Sequence, residues 1–448
     1  MKRWVFRSLF AMLVFPGLLG TVGAQAADKL EDKLVIVTSF PKELFKAYAA
    51  AFEKKHPGTK VEVLNKPTSS GIAYVRETAS NPPDIFWASA PDAFEVLKAG
   101  KLLQKYETKA KGIPEKVGGY PINDPDGFYK GFAASGYGIM YNTRYLAAKQ
   151  LPAPKEWDDL KNPIYFGHVA ISAPSRSGTT HLTIETILQG EGWDKGWATL
   201  MEIAGNYATV TERSFGVPDG VNNGQFGIGI VIDFFGFSSK ATGFPVEFVY
   251  PKLTTLVPAN VAIVANSPHP KAAAAFIEYL LSPEGQDLLL HPEISRLPVL
   301  PSAYAKAPAG FPNPFKDTSM GAAVKFDTDV SEARYAMVNS LFDRMITFRL
   351  KELTAAWKAL HEAETALKKK PNSKGTEQVA QARKLLTAVP VSSKQAGDKS
   401  FTGSFKKTKK GKPAPKRQAE IEEQWDSLAK QNYGKAEELA KSAAKLAR

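Results

Sequence analysis

The chain of 448 residues contains no cysteine. That absence excludes disulfides, thiolate nucleophiles, iron–sulfur clusters and cysteine-ligated zinc. Histidine is also scarce, with 6 residues scattered from His56 to His361, and His361-Glu362 lacks the second histidine that an H-E-x-x-H zinc site requires. Neither a G-x-S-x-G elbow nor a G-x-x-x-x-G-K-[ST] phosphate loop is present, so the commonest serine-hydrolase and nucleotide-hydrolase signatures are missing. A hydrolase assembled from distant residues is disfavoured, and no metal or cofactor is expected. Beyond residue 26 no run approaches the roughly 20 apolar residues of a membrane-spanning helix. What is there is globular: 44% hydrophobic and 23% charged residues, at a length that suits about three domains.

The first residues read as an export leader. Lys2, Arg3 and Arg7 give a positive start, Leu9–Leu19 an apolar stretch, and Ala24-Gln25-Ala26 the small-x-small pattern of a signal peptidase site. Residues 1–26 are therefore expected to be a signal peptide, with a retained anchor as the alternative. With no cysteine to carry a lipid, the periplasm is the expected compartment.

The formal net charge of +13 is unevenly placed. From residue 27 to residue 365 there are 35 Lys and Arg against 37 Asp and Glu, whereas residues 366–448 carry 20 against 8. A near-neutral body disfavours nucleic acid as a partner. Within the tail, Thr402–Arg417 reads TGSFKKTKKGKPAPKR and has too few apolar residues to offset the entropy of ordering it, which predicts a flexible connector. The stretches 353–369, 376–388 and 419–446 are rich in Ala, Glu, Lys and Leu and predict helices. This basic, partly disordered helical tail is expected to be dispensable for ligand binding and available to an acidic surface or a sensor partner.

In the body, strand-like and helix-like stretches alternate. Leu34–Val37, Val61–Leu64 and Ile85–Trp87 are apolar runs, each followed by a polar turn and a helical pattern, and three such units imply a mostly parallel sheet. Gly136–Asn142 predicts a strand crossing between domains. Val169–Ser172 and Gln225–Phe235 predict strands of a second α/β region, and Val246–Tyr250 and Val261–Val264 predict strands that return to the first. The expected organisation is α/β and two-lobed: lobe 1 from residues 27–134 and 251–308, lobe 2 from 135–250, a helical part over 309–365, and the tail over 366–448.

Pro258–Val264, His269–Ala273 and above all Phe276–Gln286, FIEYLLSPEGQ, resemble the extracellular solute-binding proteins of bacterial ABC importers. The resemblance covers roughly residues 34–348. It implies a type II-like periplasmic-binding-protein fold, a small-molecule ligand held between the lobes and an ABC permease as partner. The tail exceeds that pattern. Within the family the chain is similar to the branch of ferric-ion, phosphonate, sugar-phosphate and phosphoglycerate binders. Ferric members hold the metal with two adjacent tyrosines after the strand that matches Gly229–Asp233; here Phe234-Phe235 stand there and offer a hard cation no oxygen. An organic anion, phosphorylated or phosphonate, is therefore the expected cargo. Fe(III), or a non-transport scaffold working through the tail, is the alternative.

Three turns combine hydroxyl residues with a helix start: Ser39 with Phe40 after the first strand, Ser69-Ser70-Gly71 after the second, and Ser175-Arg176-Ser177-Gly178-Thr179-Thr180 after a lobe 2 strand. Free backbone N–H groups and the helix dipole suit an oxyanion at such places, and in an open α/β sheet they gather at the carboxyl ends of the strands. Arg176 adds a fixed cation. Ser89, after the third strand, joins the set. Asp233 either accepts from a ligand hydroxyl or amine or caps Phe235 and Gly236 locally. His181 is expected to be structural. Trp87 and Phe40 either wall the cleft or belong to the core.

Overall fold

The computed structural model describes residues 1, 29–321, 323–405 and 414–447. The expected leader, apart from Met1, and residues 406–413 of the expected connector lie outside them.

Three strands, β1 (Lys33–Thr38), β2 (Lys60–Asn65) and β3 (Ile85–Ala88), run parallel in the order β2-β1-β3. Each is followed by a helix: α1 (Lys42–Lys55), α2 (Thr68–Glu77) and α3 (Pro91–Ala99). Proline stands at the N-cap of the first two helices and at the first turn of the third, where its missing N–H costs no helical bond. In α1 the buried positions Leu44, Tyr48 and Phe52 recur every four residues, so one apolar stripe faces the sheet.

The hinge is a single long strand, β4 (Lys130–Asn142). It is buried almost throughout and was expected to be half that length. Its first half, Lys130–Gly136, pairs antiparallel with a returning strand, and its second half, Tyr137–Asn142, pairs with strands of the other lobe. Gly138 is required there, because a Cβ would stand 2.2 Å from the Val249 carbonyl oxygen. The second lobe carries β5 (Val169–Ser172), α4 (Gly178–Glu191), α5 (Trp193–Ala204), β6 (Tyr207–Thr211), β7 (Ile228–Ile232), α6 (Asp233–Ala241) and β8 (Val246–Val249). The chain then returns through β9 (Leu256–Val264), which pairs antiparallel with both β3 and β4. Strand order is thus β2-β1-β3-β9-β4-β7-β5-β6, continuous through the hinge.

Two expectations about strands change. The apolar run Gln225–Phe235 is not one strand: it ends at Ile232, and Asp233 opens α6 by accepting the Phe234 N–H at 2.7 Å. β8 does not return to the first lobe but pairs with Ile139–Asn142 of β4.

The largest departure is the tail. After α7 (Thr328–Met345) come α8 (Leu350–Lys369), α9 (Ser373–Thr387) and the long α10 (Lys416–Leu446). Their apolar faces join Trp197, Leu200 and Ile203 of α5 in one continuous hydrophobic core. Trp357 of α8 packs so closely on Gly205 that a Cβ there would lie 2.5 Å from the indole. The Trp193 indole N–H donates to the Val391 carbonyl at 2.7 Å, and Tyr433 Oη donates to that of Met345 at 2.7 Å. Phe405, expected in a flexible connector, is buried and stacks on Trp425 at 5.1 Å. Composition misled here because alanines at helical spacing, Ala429, Ala436, Ala440 and Ala443, bury a seam without raising mean hydropathy much.

Candidate functional site

The carboxyl ends of β1, β3 and β5 meet across the gap between the lobes, where α2 and α4 also begin. From the first lobe Ser39, Phe40, Thr68 and Ser89 line a small internal cavity; from the second come Arg176, Ser177, Thr179, Arg213, Phe234 and Phe235. The cavity is about 10 Å³, room for one water at most, so the lobes stand closed. Beyond Pro41, Phe234 and Phe235, which it shares, a larger void of about 540 Å³ opens between α1 and α6. That outer space carries Glu43, Asp219 and Glu293 against the single cation Lys42, so the inner part is the lining that better favours an anion.

Closure is held by polar contacts between the lobes. Ser69 Oγ donates to the Ser175 carbonyl, the Gly178 N–H donates to Thr68 Oγ1 at 3.3 Å, and Arg213 Nη2 donates to Asn65 Oδ1 at 3.3 Å. Gly178 is needed at the contact: a Cβ would meet the Ala90 Cβ at 2.9 Å and Thr68 Cγ2 at 3.0 Å.

The expected residues divide accordingly. Ser39, Phe40, Ser89, Arg176, Ser177 and Thr179 line the cavity. Ser177 is also the N-cap of α4, accepting from the Thr180 N–H at 3.1 Å. Ser69, Ser175 and Gly178 meet at the closed seam, Thr180 shares a short hydrogen bond with Ser172, and Gly71 packs against Val37 and Phe86. Ser70 lies within the first turn of α2, half-buried and off the cavity wall. Asp233 is fully buried and its carboxylate is engaged inside the protein: Gly136 N–H donates at 2.6 Å, Tyr250 Oη at 2.8 Å and Phe234 N–H at 2.7 Å. Burial pushes its pKa up to about 6 against these stabilising donors. Trp87 is core, edge-on to Phe40 at 5.1 Å. His181 is buried in a polar node, with Nδ1 2.7 Å from Asn339 Oδ1 and Nε2 3.0 Å from Ser331 Oγ, which donates to Asp92 Oδ2 at 2.9 Å. Burial raises the Asp92 pKa to about 6 as well.

Two arginines escaped the sequence reading. Arg213 had a usable signal, a polar residue just past β6 at the carboxyl end of a strand. Arg296 had none, since Ile294–Val299 reads as a short apolar segment. Its guanidinium is fully buried between the rings of Phe40 and Phe234, 4.5 and 3.7 Å from their centroids. Phe234 and Phe235 present carbon where a ferric site would need oxygen, and among the described residues no three His, Asp or Glu side chains converge on a common point.

Comparison with known proteins agrees with this geometry. Residues 80–327 match a family described as bacterial extracellular solute-binding protein. The phosphoglycerate transport regulatory protein PgtC of Salmonella typhimurium is 32% identical over 379 residues, covering 83% of this chain and 89% of that protein. An Fe(3+)-binding periplasmic protein of Serratia marcescens is 26% identical over 288 residues, 62% of this chain and 81% of its own. The fold of the periplasmic binding protein AfuA from Actinobacillus pleuropneumoniae, solved with fructose-6-phosphate bound, superposes with a TM-score of 0.64 at 21% identity, over 70% of this chain and 98% of the other. The similarity to PgtC, covering 83% of the chain, takes in α8 wherever it begins.

Proposed function

The chain is a member of the bacterial extracellular solute-binding family, and on that premise we propose that it is the substrate-binding component of an ABC importer, capturing a small phosphorylated organic anion between its lobes in the periplasm. The observation that carries the ligand class is the inner cavity. It joins the N-terminus of α4, two arginines and the hydroxyls of Ser39, Ser89, Ser177 and Thr179, with no carboxylate among the described residues that line it. Backbone N–H groups and the helix dipole at such a terminus favour a phosphate or carboxylate, and arginine offers a planar fork to its oxygens. Loading requires the seam between Thr68–Ser69 and Ser175–Gly178 to part and re-form around the ligand. Closure then excludes water, which strengthens each polar contact.

The name of PgtC, a phosphoglycerate transport regulatory protein, favours a phosphorylated three-carbon carboxylate as cargo and a regulatory role beside transport. For this chain the regulatory surface is that of α8–α10, which no cleft chemistry uses, while an ABC permease meets the rims of the lobes. Thermal shift and calorimetry with 3-phosphoglycerate, fructose 6-phosphate, a phosphonate, succinate and Fe(III) test the assignment. A phosphate ester at 100 times its Kd is expected to stabilise the protein by about 2.7 kcal/mol. A response to Fe(III) alone, or turnover of the ester, would overturn it.

A further inference from the structure

Arg296 is the one arginine among the described residues with no exposed surface, and its surroundings leave it short of acceptors. Nη1 reaches Ser135 Oγ at 3.4 Å, while Nε and Nη2 have no hydrogen-bond partner among the described residues. It forms no ion pair there; the nearest carboxylate influence is Asp233, which is engaged by Gly136, Tyr250 and Phe234. Two neighbouring buried donors are also without acceptors: Tyr137 Oη, close enough to interact with the Arg296 charge, and the indole N–H of Trp87, whose ring abuts Phe40. A buried cation and several unsatisfied N–H and O–H groups are costly to a fold, because each has lost its water without gaining a partner. Burial draws the guanidinium pKa down to about 9, which still leaves it charged at neutral pH. The rings of Phe40 and Phe234 that sandwich it are walls of the inner cavity.

We infer that Arg296 is a ligand-binding residue, taking the second anionic group of a doubly anionic ligand whose first is held at the N-terminus of α4. The two positive centres lie on different lobes, Arg296 on the first and Arg176 with Arg213 on the second, so a ligand carrying two anionic groups would tie the closed state together from both sides. A sugar phosphate with one anionic group would leave Arg296 unanswered. Arg296 therefore sets specificity. This rests on the anion-binding reading above and extends it to a residue and a selectivity.

The test compares wild type, Arg296→Met, Arg296→Lys and Arg176→Ala by calorimetry with 3-phosphoglycerate, fructose 6-phosphate and inorganic phosphate, with the melting temperature of each free protein. Methionine keeps the aliphatic packing between the rings and removes the buried charge. Arg296→Met is expected to melt at or above the wild-type temperature and to lose about 10- to 150-fold in affinity for 3-phosphoglycerate, the span of one hydrogen bond to a charged group, with little change for the two single-group probes. Arg296→Lys, keeping charge but not the fork, is expected to fall between, and it decides the matter should the methionine variant not fold. Wild-type binding of 3-phosphoglycerate that Arg296→Met or Arg296→Lys leaves unchanged would overturn the role of Arg296 and leave the anion-binding reading standing. Equal losses for all three probes together with a lowered melting temperature would make Arg296 structural and overturn it too. Absence of binding to any probe by the wild type would overturn both.

Discussion

Arg176 stands half exposed at the edge of the inner cavity, ion-paired with a Glu212 that is still more exposed. Exposed pairs of that kind contribute roughly 0–1 kcal/mol to stability, whereas a hydrogen bond to an anion is worth about 1.5–3 kcal/mol. Arg176→Ala is accordingly expected to leave the melting temperature of the free protein nearly untouched and to weaken 3-phosphoglycerate binding by the larger amount. Calorimetry on the two proteins decides it; unchanged affinity would remove Arg176 from the site. Asp233 offers a pH test of opposite character. Its pKa, about 6 in the fold against an ordinary 3.8, means that the folded chain holds the proton more tightly than the unfolded one. The stabilisation is complete below about pH 4, declines as pH rises towards 6, and is gone above it, a swing of about 3 kcal/mol for two pKa units. Urea unfolding of wild type and Asp233→Asn at pH 4 and pH 7 should show the wild type losing that amount relative to the variant. A difference that does not move with pH would contradict it. These two residues also show what the sequence can and cannot say about a site. A hydroxyl-rich turn after a strand leads to Ser39, Ser89, Ser177 and Thr179, which the fold gathers around the inner cavity, because the carboxyl ends of strands converge wherever the sheet is parallel. It says nothing of whether a particular hydroxyl is already engaged, as those of Ser69 and Thr180 are. Arg296 was invisible because its meaning lies in two phenyl rings, Phe40 and Phe234, both more than sixty positions earlier in the chain and brought together only by the closed fold.

At the scale of elements, the βα alternation of residues 33–99 was legible because each apolar run is short and flanked by a polar turn, and the parallel pairing β2-β1-β3 follows from it. Charge arithmetic was a poorer guide to the C-terminus. It located the excess of lysine and arginine but not the alanine seam beneath it, and so suggested an appendage where α8, α9 and α10 complete the core of the second lobe. Truncation after Thr365 would strip α9 and α10 from Trp357, Leu360 and Trp197 and leave a large apolar face in water. Such a fragment is expected to be insoluble or strongly destabilised, seen as aggregation on size exclusion; a soluble fragment melting like the full chain would show the helices to be an independent unit. A milder probe is Trp357→Ala, expected to cost about 3–5 kcal/mol in chemical denaturation, the range for emptying a buried aromatic site. Loss of less than about 1 kcal/mol would mean that α8 is only loosely seated on Gly205.

For the whole molecule the informative position is Gly178. Its Cβ, if it had one, would press on Ala90 and Thr68 across the cleft at 2.9 and 3.0 Å only when the lobes are shut. Alanine suits the first turn of a helix, so Gly178→Ala should leave the open form untouched and penalise closure alone. Small-angle scattering with saturating 3-phosphoglycerate is expected to give a larger radius of gyration for the variant than for the wild type, and calorimetry a weaker affinity. Identical radii and affinities would show that the seam between Gly178 and Thr68 is not what closure brings together.

Helix α7 touches both lobes, which the strand β4 joins. Ser331 donates to Asp92 of α3 and lies against His181 of α4, while Thr328 shares a short hydrogen bond with Tyr120. A single crossing strand alone would let the lobes swing and also rotate about the strand axis. A rod fastened to both bodies at a distance from that axis forbids the rotation and leaves the swing. The polar node of Asp92, His181, Ser331 and Asn339 sits where α7 fastens to both lobes, the natural pivot for such a swing. In the proposed importer role, that constraint would convert ligand capture into one reproducible displacement of the rims, the kind of signal that a membrane partner can read as a yes or a no.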